Sequence, residues 1–169
     1  MRIFGLAGWS GSGKTTLLTN LLPEFAARGL RVSTLKHAHE SFEIDQPGKD
    51  SYAHREAGAQ EVVIASAHRF ALIHELRGAP EPSLDELVAR MSPADLVLVE
   101  GWKGHSHPKI EIYRPSLGKP LLHPGDPYVV ALASDEPVTG LALPWLPLGD
   151  PQRIVHFILD TLGLPRWPS

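Results

Sequence analysis

The segment Gly8-Trp9-Ser10-Gly11-Ser12-Gly13-Lys14-Thr15 constrains this chain more than any other, because it matches G-x-x-x-x-G-K-[ST] between an apolar run and a helix-spaced one. Residues 2–7 (RIFGLA) are short and apolar. Residues 14–28 then set Leu17, Leu18, Leu21, Leu22 and Phe25 at helical spacing before Gly29 stops the helix. Strand, glycine-rich loop and helix in that order form a phosphate cradle. Glycines let backbone N–H groups converge on phosphate oxygens, and the helix adds its own unpaired N–H groups and the positive end of its dipole. Lys14 supplies a mobile charge for the β and γ phosphates, and Thr15 supplies a hydroxyl for magnesium. Gly8, Ser10, Gly11, Ser12, Gly13, Lys14, Thr15 and Thr16 are therefore the expected nucleotide-binding residues, with Thr15 also a metal ligand.

Residues 31–35 (RVSTL) favour extended structure after Gly29, which predicts a right-handed βαβ unit. Residues 36–49 are polar and read as a long exposed loop. A short helix is expected over 50–57, capped by Asp50 or Ser51 and stopped by Gly58. Residues 61–65 and 69–75 read as a hairpin, and Ser83 with Glu86 forms a capping box for a helix over 83–91. Residues 95–100 (DLVLVE) predict a strand buried on both faces at the centre of the sheet. Further strands are expected over 109–113, 128–133 and 141–146, with an amphipathic helix over 152–162 closing the chain. This order predicts an α/β chain of P-loop NTPase fold, a mostly parallel sheet with flanking helices.

At 169 residues and 43% hydrophobic, with no repeat and no low-complexity linker, the chain reads as one domain over residues 1–169. Sixteen Lys and Arg against nineteen Asp and Glu leave a net charge of −3, which offers no field for a polyphosphate backbone; nucleic acid is not an expected partner. No apolar window approaches a membrane span, and the first apolar stretch runs into the glycine-rich loop instead of a cleavage site, so a soluble cytoplasmic protein is expected. The absence of cysteine excludes disulfides, thiolate metal sites and thiol catalysis.

Glu100 ends the apolar strand at its carboxyl end, the edge of an open α/β sheet where ligands bind. A carboxylate there can hold magnesium or orient an attacking water, so Glu100 is the expected catalytic residue and a metal ligand. Asp45 and Asp50 lie in or beside the polar stretch. Asp50 suits helix capping, whereas Asp45 has no visible local task and is expected at the metal. The pairs His37/His39 and His105/His107 read either as metal ligands or as solvated loop residues, with no third and fourth ligand visible beside them.

The run KHAHESFEIDQPGKDSYAHREAGA at 36–59 resembles the region after the second strand in the molybdopterin-guanine dinucleotide biosynthesis protein B (MobB) family, as does LVLVEGWK at 96–103. With the glycine-rich loop, the resemblance covers most of the first 115 residues. It implies a dimeric GTP-binding protein with weak GTPase activity. It also implies an adapter role in molybdenum cofactor biosynthesis, beside the guanylyltransferase that attaches GMP to molybdopterin. By this resemblance Gly11, Gly13, Lys14, Thr15 and Thr16 bind phosphates and Mg2+, with Asp45 and Glu100 in the magnesium shell. No N-K-x-D occurs to select guanine. Asp135, after a predicted strand, is the best substitute acceptor for guanine N1–H and the exocyclic amine, and it reads equally as a turn aspartate before Glu136-Pro137. Two alternatives stay open: a small P-loop kinase, for which the region after Met91 offers only Arg114 as a lid arginine before the last helix, and a metal-inserting GTPase, favoured by the histidines. Residues 37–49, with their Pro47-Gly48 turn, are expected to be a switch that senses nucleotide through Asp45.

Overall fold

The computed structural model describes residues 1–38 and 42–165. In chain order its elements are β1 (Arg2–Ala7), α1 (Lys14–Ala27), β2 (Val32–Lys36), α2 (Asp50–Glu56), β3 (Glu61–Ala65), β4 (Phe70–His74), α3 (Leu84–Arg90), β5 (Leu96–Glu100), β6 (Lys109–Ile112), β7 (Val129–Ser134), β8 (Trp145–Pro147) and α4 (Pro151–Leu162). Residues 1–37 and those from 88 onward form one compact unit, and residues 38–87 form another.

In the first unit six strands lie in the order β2-β5-β1-β6-β7-β8, and every neighbouring pair is parallel. A parallel sheet is covered on both faces, so a near-continuous apolar run marks an inner strand. All five residues of β5 are buried, as the run of Leu and Val predicts. Its place differs slightly from expectation: β5 lies between β2 and β1, and the middle of the sheet belongs to β1 and β6. The reason is that β6, β7 and β8 all add on the far side of β1.

Leu17, Leu21 and Phe25 of α1 and Ile154, Val155, Ile158 and Leu159 of α4 are buried in the same cluster as Phe4, Leu6, Leu96 and Leu98. Each such side chain contributes about 1.5–3 kcal/mol relative to exposure. The strand expected over 141–146 forms later, as Trp145–Pro147. Pro144 has no N–H to give a ladder and instead accepts from Leu132 N at 3.0 Å, so pairing begins one residue on.

The second unit holds α2 and the antiparallel hairpin β3–β4, in which Glu61 faces His74 and Ala65 faces Phe70. The turn is closed by Ser66 N donating to Arg69 O at 2.8 Å. One expectation is corrected here. The N-cap of α2 is Lys49 with no side-chain cap bond, and Asp50 sits in the first turn, where its charge suits the helix dipole. Residues 38–87, read from the sequence as part of one domain, form a compact unit of their own. Nothing in composition announces that boundary, because its second edge falls inside α3 and not in a Pro- or Gly-rich linker. Among the described residues no helix is long and apolar enough to cross a membrane.

Candidate functional site

β1 ends at Ala7 and the chain turns through Gly8, Gly11 and Gly13, whose φ angles are +149°, +79° and +96°. At Gly8 a Cβ would lie 2.6 Å from both Ile112 O and Ser12 Oγ, so only glycine fits. The loop is pinned by Ser12 N donating to Trp9 O at 3.1 Å, and α1 starts with Leu17 N donating to Gly13 O at 2.9 Å. The first backbone N–H groups of α1 therefore face the loop without a helical acceptor, as a phosphate cradle requires. Ser12 Oγ is buried against Gly8 without a hydrogen-bond partner among the described residues.

Lys14 Nζ donates to Gly8 O at 3.0 Å and Trp9 O at 2.9 Å, folding over its own loop. Burial pulls this ammonium below the ordinary lysine range; Glu100 opposes the shift, while Lys103 and Lys36 add to it. Thr15 Oγ1 lies 3.3 Å from each carboxylate oxygen of Glu100, which is 8% exposed. β2 and β5 end together: Lys36 is in register with Glu100, and His37 N donates to Glu100 O at 2.8 Å. The turn after Glu100 needs glycine, because Gly101 has φ +101° and a Cβ there would come within 2.7 Å of His37 Cβ.

A cavity of about 400 Å³ gathers Ser10, Gly11, Gly13, Lys14, Thr15, Thr16 and Glu100, together with Lys36. Gly8 and Ser12 shape the loop from behind. The donor set suits a small hard cation: a hydroxyl and a carboxylate share one edge of the cavity, and Mg2+ is ordinarily held by one or two such oxygens with water and phosphate completing the shell.

Asp135 follows β7 and lines a neighbouring cavity of about 170 Å³ with Gly13, Thr16, Asn20, Arg114 and Leu148. Its carboxylate is paired with Arg114, whose Nε donates to Ser12 O at 3.0 Å. Asp45 has the local task that the sequence hid. Its side chain is 2% exposed and is held by Arg55, with Oδ1 3.2 Å from Nη2 and Oδ2 3.4 Å from Nε. Arg55 also meets Glu43 at 2.8 Å and Glu75 at 3.4 Å. The long exposed loop is thus anchored at Asp45, inside the second unit; residues 39–41 of that segment, including His39, lie outside the described residues.

The His105/His107 pair is a hydrogen-bonded couple, Nδ1 to Nδ1 at 3.0 Å, and His37 packs on Trp102 with ring centroids 4.6 Å apart. Among the described residues no group of three or more His, Cys, Asp or Glu is placed to hold a metal ion.

Sequence reasoning passed over Lys36 and weighed Arg114 only as a lid cation. Lys36 was findable in principle, since β2 and β5, once paired in parallel, must end at one edge. Arg114 carries no such signal, because its partners Ser12 and Asp135 are remote in sequence.

A strand, a glycine-rich loop with its lysine, a helix, and a carboxylate at the end of the adjacent parallel strand define a P-loop protein of the NTPase fold. The family model for molybdopterin guanine dinucleotide synthesis protein B, MobB, matches residues 3–135. The chain belongs to that family. It is 40% identical over 161 residues to the molybdopterin-guanine dinucleotide biosynthesis adapter protein of Escherichia coli K12, covering 94% of this chain and 91% of that protein. It is 45% identical over 139 residues to the protein of the same description in Haemophilus influenzae, covering 80% and 76%. Among solved structures, a crystal structure of molybdopterin-guanine biosynthesis protein B superposes with a TM-score of 0.74 at 30% identity, covering 95% of this chain and 99% of that one.

Proposed function

We propose that this chain binds GTP with Mg2+, hydrolyses it slowly, and serves as a dimeric adapter in molybdenum cofactor biosynthesis. Its partner is the cytoplasmic guanylyltransferase that joins GMP to molybdopterin. The observation that carries this reading is the convergence of Lys14, Thr15 and Glu100 on one glycine-walled cavity, in a chain of the MobB family. The adapter role follows the names of the relatives in Escherichia coli and Haemophilus influenzae.

On this reading the N–H groups of the loop and of the first turn of α1 hold phosphate oxygens. Lys14 leaves the Gly8 and Trp9 carbonyls and pairs with the β and γ phosphates. Thr15 and Glu100 hold Mg2+, which when bound neutralises phosphate charge. Glu100 also orients the attacking water. Asp45 would have to give up Arg55 to join the metal shell. Asp135 reads the base.

The test is a fluorescent-nucleotide titration of the parent and of Lys14→Ala, with circular dichroism as the fold control. Affinity should fall about tenfold to a hundredfold, the loss of one or two charge-assisted hydrogen bonds, with the spectrum unchanged. Equal affinity in the two proteins would remove the phosphate-site assignment.

A further inference from the structure

Arg114 stands just past β6, where the chain enters a short 3-10 turn, Pro115–Leu117. Its guanidinium is held at two points. Nε donates to the Ser12 carbonyl at 3.0 Å, and Nη1 is paired with Asp135 Oδ2. The group lies across Gly13, where a Cβ would meet Nε and Nη2 at 3.6 Å each. No other acceptor among the described residues takes its remaining N–H groups.

The pair is open to solvent, with Arg114 37% and Asp135 57% exposed, so it adds little to stability. Its position is more informative. Gly13 and Thr16 line both the cavity around Lys14 and the cavity that holds Arg114 and Asp135. A ligand whose phosphates occupied the first could therefore extend past Thr16 into the second. Leu17, Leu148 and Gly149 supply apolar and backbone walls there, and the charged side chains lining it among the described residues are Arg114 and Asp135.

We propose that Arg114 and Asp135 read guanine as one unit, and that Arg114 is a specificity-determining residue in a chain without N-K-x-D. The inference rests on the GTP reading above and adds to it the residue that makes Asp135 sufficient. An arginine N–H beside a carboxylate presents one donor followed by two acceptors. Guanine's Watson–Crick edge presents the complement: the O6 acceptor, the N1–H donor and the exocyclic amine donor. Arg114 donates to O6 while Asp135 accepts from N1–H and the amine. Adenine is rejected at both places, because its N6 amine meets the guanidinium donor and its bare N1 meets the carboxylate. Hypoxanthine loses one bond, and xanthine sets a carbonyl oxygen against Asp135. Sites built this way discriminate strongly, since the wrong base leaves polar groups unpaired. The bond from Arg114 to Ser12 ties the reader to the phosphate loop, fixing the distance between base and phosphate subsites.

The experiment measures dissociation constants of Mg2+ complexes of GTP, ITP, XTP and ATP for the parent, Arg114→Met, Arg114→Lys and Lys14→Ala. In the parent the order should be GTP tighter than ITP, with XTP and ATP weaker. Arg114→Met should lose about tenfold or more in GTP affinity and little in ATP affinity, collapsing the preference, and Arg114→Lys should restore part of it. Lys14→Ala should weaken all four alike. Equal losses of GTP and ATP in Arg114→Met would assign Arg114 to the phosphate loop and overturn the proposal, as would a parent that binds XTP as tightly as GTP. Should Arg114→Met not fold, the parent series and Arg114→Lys decide the question by the same criteria. A parent that binds no triphosphate sinks the GTP reading itself and this inference with it, whereas tight but base-blind binding sinks this inference alone.

Discussion

Glu100 and His107 show how burial sets the work of single side chains. Glu100 lies within 3.3 Å of the Thr15 hydroxyl and is nearly buried. Glu100→Gln keeps its shape and removes its charge, so GTP should bind nearly as well while hydrolysis slows. Single-turnover kinetics check this, and an unaltered rate would assign Glu100 to structure. The parent rate itself should be slow, about 10⁻⁴ to 10⁻² per second. His107 is 4% exposed and its Nε2 has no hydrogen-bond partner among the described residues, while a Cβ at Gly5 would come within 2.5 Å of that atom. Burial, then Lys109 and His105, push its imidazole from 6.5 down to about 4, against a weaker opposing pull from Asp126. The unfolded chain therefore takes the proton first. The stability that neutral His107 confers is complete above pH 6.5 and is lost as pH falls toward 4, a cost on the order of 2–3 kcal/mol. Urea midpoints of the parent and of His107→Gln, measured between about pH 7 and pH 5, should converge as pH falls. Parallel slopes would show that His107 does not take up the proton on unfolding.

At the level of elements, local chemistry was legible wherever it was self-contained. The capping box was one such case: Glu86 Oε2 accepts from Ser83 N at 2.8 Å, and Ser83 Oγ accepts from Glu86 N at 3.3 Å. β6 was legible in extent and not in burial. Its K-I-E-I sequence carries two charges, yet β6 lies between β1 and β7 and all four residues are buried. The buried charges are satisfied from afar: Lys109 donates to Lys103 O, His105 O and Asp126 Oδ2, and Glu111 accepts from the N–H groups of Leu122 and His123. Such partners cannot be inferred from spacing, just as the Arg55 clasp on Asp45 could not. α4 shows the opposite case. Asp150 Oδ1 accepts from Arg153 N at 3.0 Å, Pro151 takes a first-turn position where no N–H is needed, and Gly163 ends the helix at φ +62°. Asp150→Ala should lower stability by about 1 kcal/mol without changing nucleotide affinity. Equilibrium urea unfolding measures it, and no change in midpoint would mean that water replaces the cap.

For the whole molecule, the second unit raises the question of what covers it. A two-stranded hairpin is marginal by itself in water, and one face of β3–β4 carries Val63, Phe70 and Leu72 at 63%, 73% and 50% exposure. The register sets Val63 opposite Leu72 and Ala65 opposite Phe70, so these side chains form one continuous apolar stripe. Phe42 and Ile44, at 70% and 62% exposure, add to the apolar surface of the same unit. Patches of this kind mark association surfaces, and in identical chains the simplest closed solution is a two-fold dimer with the same patch on both sides. The dimer proposed above therefore has a candidate surface. Leu72→Lys puts a charge at the centre of the stripe while its partner Val63 stays in place. It should turn a dimeric parent into a monomer across micromolar concentrations in sedimentation velocity. The proposed GTP site is built from residues of the first unit, so Mg-GTP affinity per chain should remain within about twofold, because the substitution touches none of them. A parent that sediments as a monomer, or a Leu72→Lys chain that still dimerises, would remove the hairpin as the contact surface.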